Sequence, residues 1–543
     1  MRDRRKMLKY SGAIALAAVA AGTGVAWFYR GSHRSKSLDV KPFQPYPFDP
    51  VSPANFVQKL FIPGGSGPLG VLDVAGPLKI KAAAASFTFL PGQESPFLLY
   101  QTEQAGKTYQ DPILRIESGA NFSASLDNAL AEPTIIHWHG LHTSSNMDGH
   151  PVSTIAPGGI YAYDFKVLNR GGTYWYHTHA NELTAKQAYN GLASFFLVDD
   201  DDQRALAKTL DLRLGATDLP LVIQDKQFDA LGKLRYKPNA HESMMGWLGD
   251  IMLTNLTPNA VHFVAPRIYR LRLLNGSNAR IYRLAFVNGV TPLEFVVIGT
   301  DGGLLDMPEA VKEAFFTPGE RLDVLLDAGQ VQPGQDIFLK SLVFDAMENE
   351  GGMGGMGQMM SGMSSSRLPL GTEFNILKLT VTTGERTPAK LPTLLSQIKP
   401  IPTEGAIQRK IVLSMEHMRF LINGRSFKMD EIAFDVKRGT IEVWSISNLA
   451  MGMPHPMHIH GFSFQVLERV NSPLQVSVTS RFGKGRVISD LGWKDTVLLW
   501  PGETVRIAVD FSHDFPGNQT YVLHCHNLEH EDAGMMVNYR VLT

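Results

Sequence analysis

The chain has 543 residues, with 51 basic and 52 acidic side chains and a formal net charge of −1 at pH 7. Its length predicts about three domains of roughly 100–200 residues each, and its balanced charge argues against nucleic acid as a partner. A single cysteine, Cys525, excludes a disulfide within the chain, while 50 Gly and 32 Pro favour turns and short strands over long helices.

A basic leader followed by an apolar stretch opens the chain, which is typical of an export signal rather than of a fold. Arg4 and Arg5 resemble the twin-arginine motif. The apolar stretch over residues 10–29 is long enough to span a bilayer if it is retained. We therefore expect residues 1–30 to be a signal peptide or an N-terminal anchor. The twin-arginine export machinery would deliver the protein to the periplasm or cell envelope, with membrane contact only if this segment is kept.

Beyond residue 60 the chain alternates apolar and polar residues over short windows bounded by Gly and Pro, which predicts β-strands. The clearest predicted strands are residues 113–119, 270–274 and 440–446. A Pro-Gly turn followed by an alternating strand occurs three times, at residues 157–165, 318–324 and 501–507. Three copies predict an all-β protein of three related Greek-key β-sandwich domains.

Histidine pairs of the form His-x-His occur in the first and third copies, whereas the second copy has none. These pairs are His137/His139, His177/His179, His458/His460 and His524/His526. Residues i and i+2 of a strand point to one face, so each pair presents two imidazoles together. Burying eight rings without a cation would leave nitrogens unsatisfied, at about 1–3 kcal/mol each. The pairs predict a multinuclear metal site, and the middle copy is interpreted as a spacer that holds the outer two in register.

Cys525 lies between the two histidines of the last pair and must face the opposite side of their strand. His530 and Met535 follow it, and His455 comes shortly before the third pair. Two imidazoles, a thiolate and a weak axial thioether are typical of a blue, electron-transfer copper site. Zinc prefers four firm ligands and gains nothing from a weak thioether. The pattern predicts a one-electron centre on one face of the strand and a histidine cluster on the other.

Four motifs resemble the copper motifs of the multicopper oxidases: His-Trp-His-Gly, His-Thr-His, His-Pro-Met-His-Ile-His-Gly and His-Cys-His-Asn-Leu-Glu-His-Glu-Asp-Ala-Gly-Met-Met. The resemblance extends from about residue 80 to the end. It is strongest to three-domain bacterial cuprous oxidases, laccases and bilirubin oxidases. It implies cupredoxin-like domains and four copper ions, one of type 1, one of type 2 and two of type 3. The implied ligands of the type 1 ion are His455, Cys525, His530 and Met535, and those of the type 2 ion are His137 and His458. One type 3 ion would be bound by His139, His177 and His526, and the other by His179, His460 and His524.

The resemblance implies one-electron oxidation of a donor at the type 1 copper, coupled to four-electron reduction of O2 to water. Carboxylates are expected near the cluster because metal-bound histidines cannot readily donate the protons. Asp148 matches the family's acidic residue beside the type 2 copper, and Glu531 matches the one on the type 3 side. The alternative is that both are ordinary loop acids. Residues 493–495, Trp-Lys-Asp, resemble a segment near the donor side, and we assign them no catalytic role.

A methionine-rich tract within residues 347–366 indicates the donor, because thioethers suit Cu(I) and the cuprous oxidases carry a comparable insertion. The leading hypothesis is a Cu(I)-oxidising, laccase-like enzyme that also accepts phenols and aromatic amines. One alternative is a laccase or bilirubin oxidase acting mainly on organic donors, with the tract as a plain linker. Another is a non-catalytic copper-binding or envelope scaffold protein.

The expected organisation has five segments. Residues 1–30 form the export signal or anchor, and residues 31–79 form an N-terminal extension. Residues 80–205, 206–385 and 386–543 form the first, second and third domains. The methionine-rich tract belongs to the second domain and the type 1 copper to the third.

Overall fold

The computed structural model describes residues 44–47, 49–90, 93–349, 364–386, 390–416, 419–449 and 453–543. The expected signal or anchor at residues 1–30 lies outside the described residues, as do residues 350–363 of the methionine-rich tract. Within the described ranges, no helix combines the length and apolar composition that a bilayer span requires.

Two sheets with a shared apolar core form the first sandwich. The strands in this part of the chain are β1 (Gln58–Lys59), β2 (Gly67–Pro68), β3 (Val71–Asp73), β4 (Leu78–Leu90), β5 (Gln93–Gln104), β6 (Lys107–Gln110), β7 (Ile113–Glu117), β8 (Asn121–Asn128), β9 (Ile136–His137), β10 (Ile160–Lys166), β11 (Gly172–Thr178) and β12 (Ala193–Asp199). The sheet orders are β10-β8-β4-β5-β6-β2 and β3-β7-β12-β11-β9. Ile80, Leu126 and Phe196 join the two sheets in one core.

The second sandwich has the same plan with larger sheets. Its strands are β13 (Asp218–Phe228), β14 (Leu234–Arg235), β15 (Ile251–Thr254), β16 (Thr257–Pro258), β17 (Ala260–Val264), β18 (Ile268–Asn275), β19 (Tyr282–Asn288), β20 (Thr291–Leu293), β21 (Phe295–Thr300), β22 (Gly303–Val311), β23 (Ala314–Phe316), β24 (Arg321–Asp327), β25 (Asp336–Ser341) and β26 (Phe374–Val381). One sheet runs β1-β17-β26-β25-β19-β20, with β23 on β19. The other runs β16-β15-β13-β18-β24-β21-β22, with β14 on β13.

The third sandwich has two five-stranded sheets. Its strands are β27 (Ile407–Glu416), β28 (Arg419–Ile422), β29 (Ile432–Lys437), β30 (Ile441–Asn448), β31 (His455–Ile459), β32 (Phe464–Val470), β33 (Thr496–Leu499), β34 (Thr504–Asp510), β35 (Gln519–Cys525) and β36 (Met536–Leu542). The sheet orders are β28-β27-β30-β34-β32 and β29-β36-β35-β31-β33. Trp444 and Ile459 belong to the core between them, and so does Cys525.

In the part of the chain that the structure describes, the helices are short, as the many glycines and prolines predict. They are α1 (Thr184–Tyr189), α2 (Asp201–Leu210), α3 (Ala240–Met245), α4 (Leu474–Ser477) and α5 (Leu528–Asp532). Short 3-10 turns occupy Pro53–Asn55, Pro151–Ser153, Ala328–Gln330 and Ile488–Asp490. Helix α5 begins at a cap in which the Asn527 side chain accepts from the amide of His530. This cap directs α5 away from the end of β35, towards α1.

The expectation of an all-β protein of three sandwiches is confirmed, and the clearest predicted strands coincide with β7, β18 and β30. Residues 58–73, within the expected N-terminal extension, contribute three short strands. Strand β1 pairs in parallel with β17 of the second sandwich, whereas β2 and β3 pair with β6 and β7 of the first. The domain boundaries remain predictions.

Candidate metal centre

Each of the four histidine pairs lies where a strand ends, with its first member inside the strand and its second beyond it. The strands are neighbours within two sheets. His177 lies opposite His137 across β11 and β9. His524 lies opposite His458 across β35 and β31. The first and third sandwiches therefore each contribute four imidazoles, and all eight rings are no more than 1% exposed.

The rings from the two sandwiches meet with their nitrogens facing one another. Nε2 of His137 is 3.4 Å from Nε2 of His458, and this pair corresponds to the predicted type 2 ligands. The remaining close pairs are Nδ1 of His139 with Nε2 of His177 at 3.4 Å, Nε2 of His179 with Nε2 of His524 at 3.4 Å, and Nε2 of His460 with Nε2 of His524 at 3.0 Å. These pairs belong to the predicted type 3 sets. The structure thus brings the eight histidines together, and His179, His460 and His524 form a group as the resemblance implies. Other close groups mix the implied sets, such as His137 with His139 and His177, so the division into type 2 and type 3 ligands remains a prediction.

His526 completes one group and provides the test of whether a cation fits. Its ring centroid is 5.0 Å from that of His139 and 5.3 Å from that of His177. Both of its ring nitrogens are buried and have no hydrogen-bond partner. A buried nitrogen left unpaired is costly, at about 1–3 kcal/mol. A metal ion bound by the three imidazoles would satisfy the unpaired acceptor, so these residues fit the metal that the motifs imply.

Backbone carbonyls orient four of the eight rings through the nitrogen that faces away from the cluster. Nδ1 of His137 donates to the carbonyl oxygen of Asp148 at 2.7 Å. In the same way, Nδ1 of His177 donates to that of Thr178 at 2.8 Å. Because a carbonyl can only accept, each ring must carry its hydrogen on Nδ1 and leave the lone pair of Nε2 free. A ring held like this is oriented for metal binding.

Burial lowers the pKa of most of these imidazoles and so favours their neutral form. It lowers the pKa of His177 to about 4 and that of His179 to about 3. Burial is also the main cause of a lowered pKa at His137, His139, His455, His458, His460, His526 and His530. A neutral imidazole can donate a lone pair to a metal, whereas a protonated one cannot.

A separate group surrounds Cys525 on the other side of β35. Its sulfur is 3.5 Å from Nδ1 of His455 and 3.5 Å from Nδ1 of His530. Burial raises the pKa of the thiol, so a cation would be needed to hold the thiolate there. Met535 is fully buried in the same apolar cluster as Cys525. One thiolate, two imidazoles and a nearby thioether suit copper, which favours soft ligands.

Helix α3 of the second sandwich covers this group. The ring of His530 donates from Nε2 to the carbonyl oxygen of Met244 at 2.8 Å, which leaves Nδ1 for the metal. The ring of Phe420 lies 4.2 Å from that of His530, between centroids. The loop after Cys525 is closed by two backbone bonds: Cys525 donates to Met535 at 3.0 Å, and Met535 donates to His530 at 2.8 Å.

The two predicted carboxylates lie directly against the histidine cluster. An oxygen of Asp148 is 2.7 Å from Nδ1 of His460, and its other oxygen has no partner. Burial raises the pKa of Asp148 well above its usual range. Glu531 lies 3.2 Å from Nδ1 of His524 and 3.6 Å from Nδ1 of His179. Their position agrees with the sequence analysis, and their catalytic role remains a prediction.

Asp495 is the residue that the sequence analysis missed. The Trp-Lys-Asp segment was assigned to the donor side by resemblance, but the structure places the carboxylate of Asp495 3.0 Å from Nε2 of His139. Arg321 of the second sandwich holds this carboxylate. Nothing local in the sequence could have identified the pair, because its members are 174 residues apart.

Comparison with known proteins agrees with this geometry. Residues 101–203 and 387–543 each match a family model described as "Multicopper oxidase". The chain is 32% identical over 433 residues to "Multicopper oxidase mco" of Staphylococcus haemolyticus, covering 79% of this chain and 81% of the relative. It is 32% identical over 440 residues to "Laccase" of Bacillus subtilis, covering 74% and 78%. The crystal structure of the multicopper oxidase McoA from Aquifex aeolicus is similar, with TM-score 0.79, 39% identity, and coverage of 90% of this chain and 99% of that one.

Proposed function

This chain belongs to the multicopper oxidase family, and from that premise we propose that it oxidises a donor one electron at a time and reduces O2 to water. The observation that carries the proposal is the position of Cys525. Its chain neighbours His524 and His526 contact other rings of the histidine cluster, while its thiol lies between His455 and His530. A donor-side centre and an O2-reducing centre are thus joined by three consecutive residues.

The family implies copper, and the groups described above would hold four ions. His455, Cys525, His530 and Met535 would bind the type 1 ion, His137 and His458 the type 2 ion, and the two remaining sets of three histidines the type 3 ions. Bound copper supplies one-electron redox changes, and four such changes with four protons convert one O2 into two waters.

The residues of the chain keep the link between the two groups rigid. The amide of Cys525 donates to Met535, and the amide of His526 donates to the carbonyl oxygen of Pro456 at 2.6 Å. The backbone that joins the two groups is therefore bonded on both sides. A fixed distance between redox centres favours rapid transfer because little reorganisation is needed.

Asp148 and Glu531 are proposed to deliver protons. Asp148 can hold a proton on its unpartnered oxygen, and burial favours that neutral form. Glu531 is buried too, but His179 and His524 hold the pKa of its carboxyl below the usual range, so Glu531 would relay a proton rather than store one. Each carboxyl faces the Nδ1 side of cluster rings, so each can pass a proton towards the cluster without displacing a ligand.

Cu(I) is the donor we favour, and the ends of the methionine-rich tract support it. Met347 packs against the apolar cluster that contains Cys525. At the other end, the amide of Ser365 donates to the carboxylate of Glu242 in α3 at 2.8 Å. The same helix accepts from His530 through Met244. Both ends of the tract therefore lie beside the donor-side centre, where thioethers would hold Cu(I).

Organic donors are the second candidate. The relative from Bacillus subtilis is named a laccase, which supports activity on phenols. Oxygen uptake by the copper-loaded protein, measured with Cu(I) and with a panel of phenols, tests the proposal. Uptake with Cu(I) well above that with phenols supports the leading hypothesis, and the reverse favours the second candidate. No uptake with any donor would contradict an oxidase and favour a copper-binding or scaffold protein.

Export is part of the proposal and rests on residues 1–30 of the sequence alone. The twin-arginine machinery would carry the folded protein to the cell envelope. Membrane attachment would follow only if the apolar segment is retained.

A further inference from the structure

We propose that Asp495 is a positioning residue for the histidine cluster and that the second sandwich supplies Arg321 to hold it. This proposal shares one premise with the proposed function, namely that the histidine cluster binds copper. It gives the middle sandwich, which carries no histidine pair, a direct part in the oxygen-reducing centre.

Asp495 fixes two rings that come from different sandwiches. Its carboxylate oxygen Oδ1 is 3.0 Å from Nε2 of His139, and its backbone oxygen is 2.8 Å from Nδ1 of His458. Since an ionised carboxylate and a carbonyl only accept, His139 carries its hydrogen on Nε2 and His458 on Nδ1. The opposite nitrogens then face inward, towards His177 and His137, at 3.4 Å each.

His139 differs from three of its neighbours in the acceptor behind it, and shares a carboxylate acceptor with His460, which faces Asp148. His137, His177 and His458 each donate to a neutral backbone carbonyl. His139 instead donates to a carboxylate, and it is turned so that Nδ1 rather than Nε2 faces the cluster. A charged acceptor increases the basicity of the imidazole and its strength as a metal ligand. Asp495 therefore sets both the orientation and the donor strength of this ring.

Arg321 holds Asp495 through a guanidinium whose five hydrogens all have acceptors. Nη1 donates to Asp495 at 2.9 Å and Nη2 donates to its other oxygen. The remaining hydrogens go to the carbonyl oxygens of Thr173 at 3.0 Å, Gly319 at 2.8 Å and Asp301 at 3.0 Å. These partners lie in all three sandwiches. The fully bonded, buried guanidinium leaves the carboxylate no freedom to move away from His139.

Two glycines allow the second and third sandwiches to pack this closely against the cluster. Gly140 directly follows His139 and has a φ of +84°, and a Cβ there would lie 2.4 Å from Oδ2 of Asp495. Gly319, in the Pro-Gly turn of the second repeat, has a φ of +85°, and a Cβ there would lie 3.0 Å from the ring of His526. The turn that begins β24 thus lies against the ring of His526 at Gly319 and reaches His139 through Asp495 at Arg321. A spacer would not require such contacts.

The test replaces Asp495 by Asn, which keeps the shape but removes the charge and places N–H donors against those of Arg321. We expect the apoprotein of Asp495→Asn to bind the copper of the histidine cluster about 10–100-fold more weakly in a copper titration. The type 2 copper signal in electron paramagnetic resonance should change, while the blue type 1 absorption stays. The control is Asp490→Asn, whose carboxylate accepts two bonds from buried Arg469, both at 2.7 Å, in the same sandwich. It should keep the copper affinity and the spectrum of the wild type.

Arg321→Lys keeps the positive charge but cannot make five bonds, and it tests the same chain of contacts if Asp495→Asn fails to fold. It should weaken cluster copper binding in the same direction, by a smaller factor. Wild-type copper affinity and spectrum in both variants would overturn the proposal, and so would equal losses in Asp490→Asn. These readouts do not depend on turnover. If the wild-type protein consumes no O2, the proposed function fails, but the copper affinities and spectra still decide whether Asp495 positions the cluster.

Discussion

Cys525 and His524 are adjacent in strand β35, yet their side chains enter two different buried groups. The sulfur of Cys525 is 3.5 Å from Nδ1 of His455, whereas Nε2 of His524 is 3.0 Å from Nε2 of His460. Alternation along a strand is sufficient to produce this division, because successive side chains point to opposite faces. The most economical link between a donor-side centre and an oxygen-reducing centre is one strand that carries a ligand of each.

Removing the carboxyl groups beside the cluster should slow the reduction of O2. Asp148→Asn and Glu531→Gln cannot hold an exchangeable acidic proton, and we expect each to lower oxygen uptake by about 100-fold, the scale of general acid catalysis. The blue absorption should be unchanged because neither carboxyl group forms a hydrogen bond with the side chains of Cys525, His455 or His530.

The matched control for Glu531→Gln is Glu529→Gln on the same helix. Glu529 bonds the amide of Trp247 at 3.0 Å and the side chain of Asn278 at 2.7 Å, away from the cluster. Its substitution should affect stability more than turnover. Loss of the blue colour in Asp148→Asn or Glu531→Gln would show that these carboxylates have a structural role instead.

The methionine-rich tract should matter for the oxidation of Cu(I) and not for the oxidation of phenols. Replacing Met353, Met356, Met359, Met360 and Met363 by Leu removes the thioethers at nearly constant size and leaves the Ser365–Glu242 contact intact. We expect Cu(I) oxidation to fall at least about tenfold and phenol oxidation to stay within about twofold, since only Cu(I) needs soft ligands. Equal losses with both donors would contradict the Cu(I) hypothesis.

Lys226 should make the stability of the fold depend on pH. It is 2% exposed, its amino group donates to the carbonyl oxygen of Tyr189, and burial lowers its pKa to about 7. The usual lysine value is 10.5, so between these values the unfolded chain binds a proton that the folded protein does not. The free energy of unfolding should therefore rise with pH above about 7, by up to about 1.4 kcal/mol per pH unit. This gain is lost again as the pH falls towards 7.

Denaturant unfolding of the wild type and of Lys226→Met between about pH 7 and about pH 9 measures this contribution. The variant should show a smaller increase with pH, because methionine does not titrate. Lys107→Met, at an exposed position, is the control and should follow the wild type. Identical pH slopes for Lys226→Met and the wild type would contradict the prediction.

The parts of the site that follow from local spacing could be predicted from the sequence. Period-two alternation predicts both the shared face of His524 and His526 and the opposite face of Cys525, and the structure places the two histidines in the cluster and Cys525 in the apolar core. The resemblance to the multicopper oxidases, rather than spacing, identifies Asp148 and Glu531 as neighbours of the cluster. Such predictions succeed because a strand fixes the directions of side chains two residues apart.

Contacts between sandwiches could not be predicted in this way. Arg321 meets Asp495 across 174 residues, and Met244 meets His530 across 286. No periodicity in either segment specifies such a partner, because these contacts arise only when three separately folded sandwiches pack. The same reason explains why the middle copy was interpreted as a spacer, although its Pro-Gly turn supplies the residues that contact the cluster.

Oxygen uptake by the copper-loaded Cys525→Ser variant is the most direct test of the central claim. Serine retains the size of the side chain but cannot provide the thiolate, so the link between donor and cluster should be broken while the histidine groups remain. We expect the blue colour and the oxygen uptake with Cu(I) and with phenols to be lost, with three-sandwich folding retained by circular dichroism. Oxygen uptake at the wild-type rate in this variant would contradict the account.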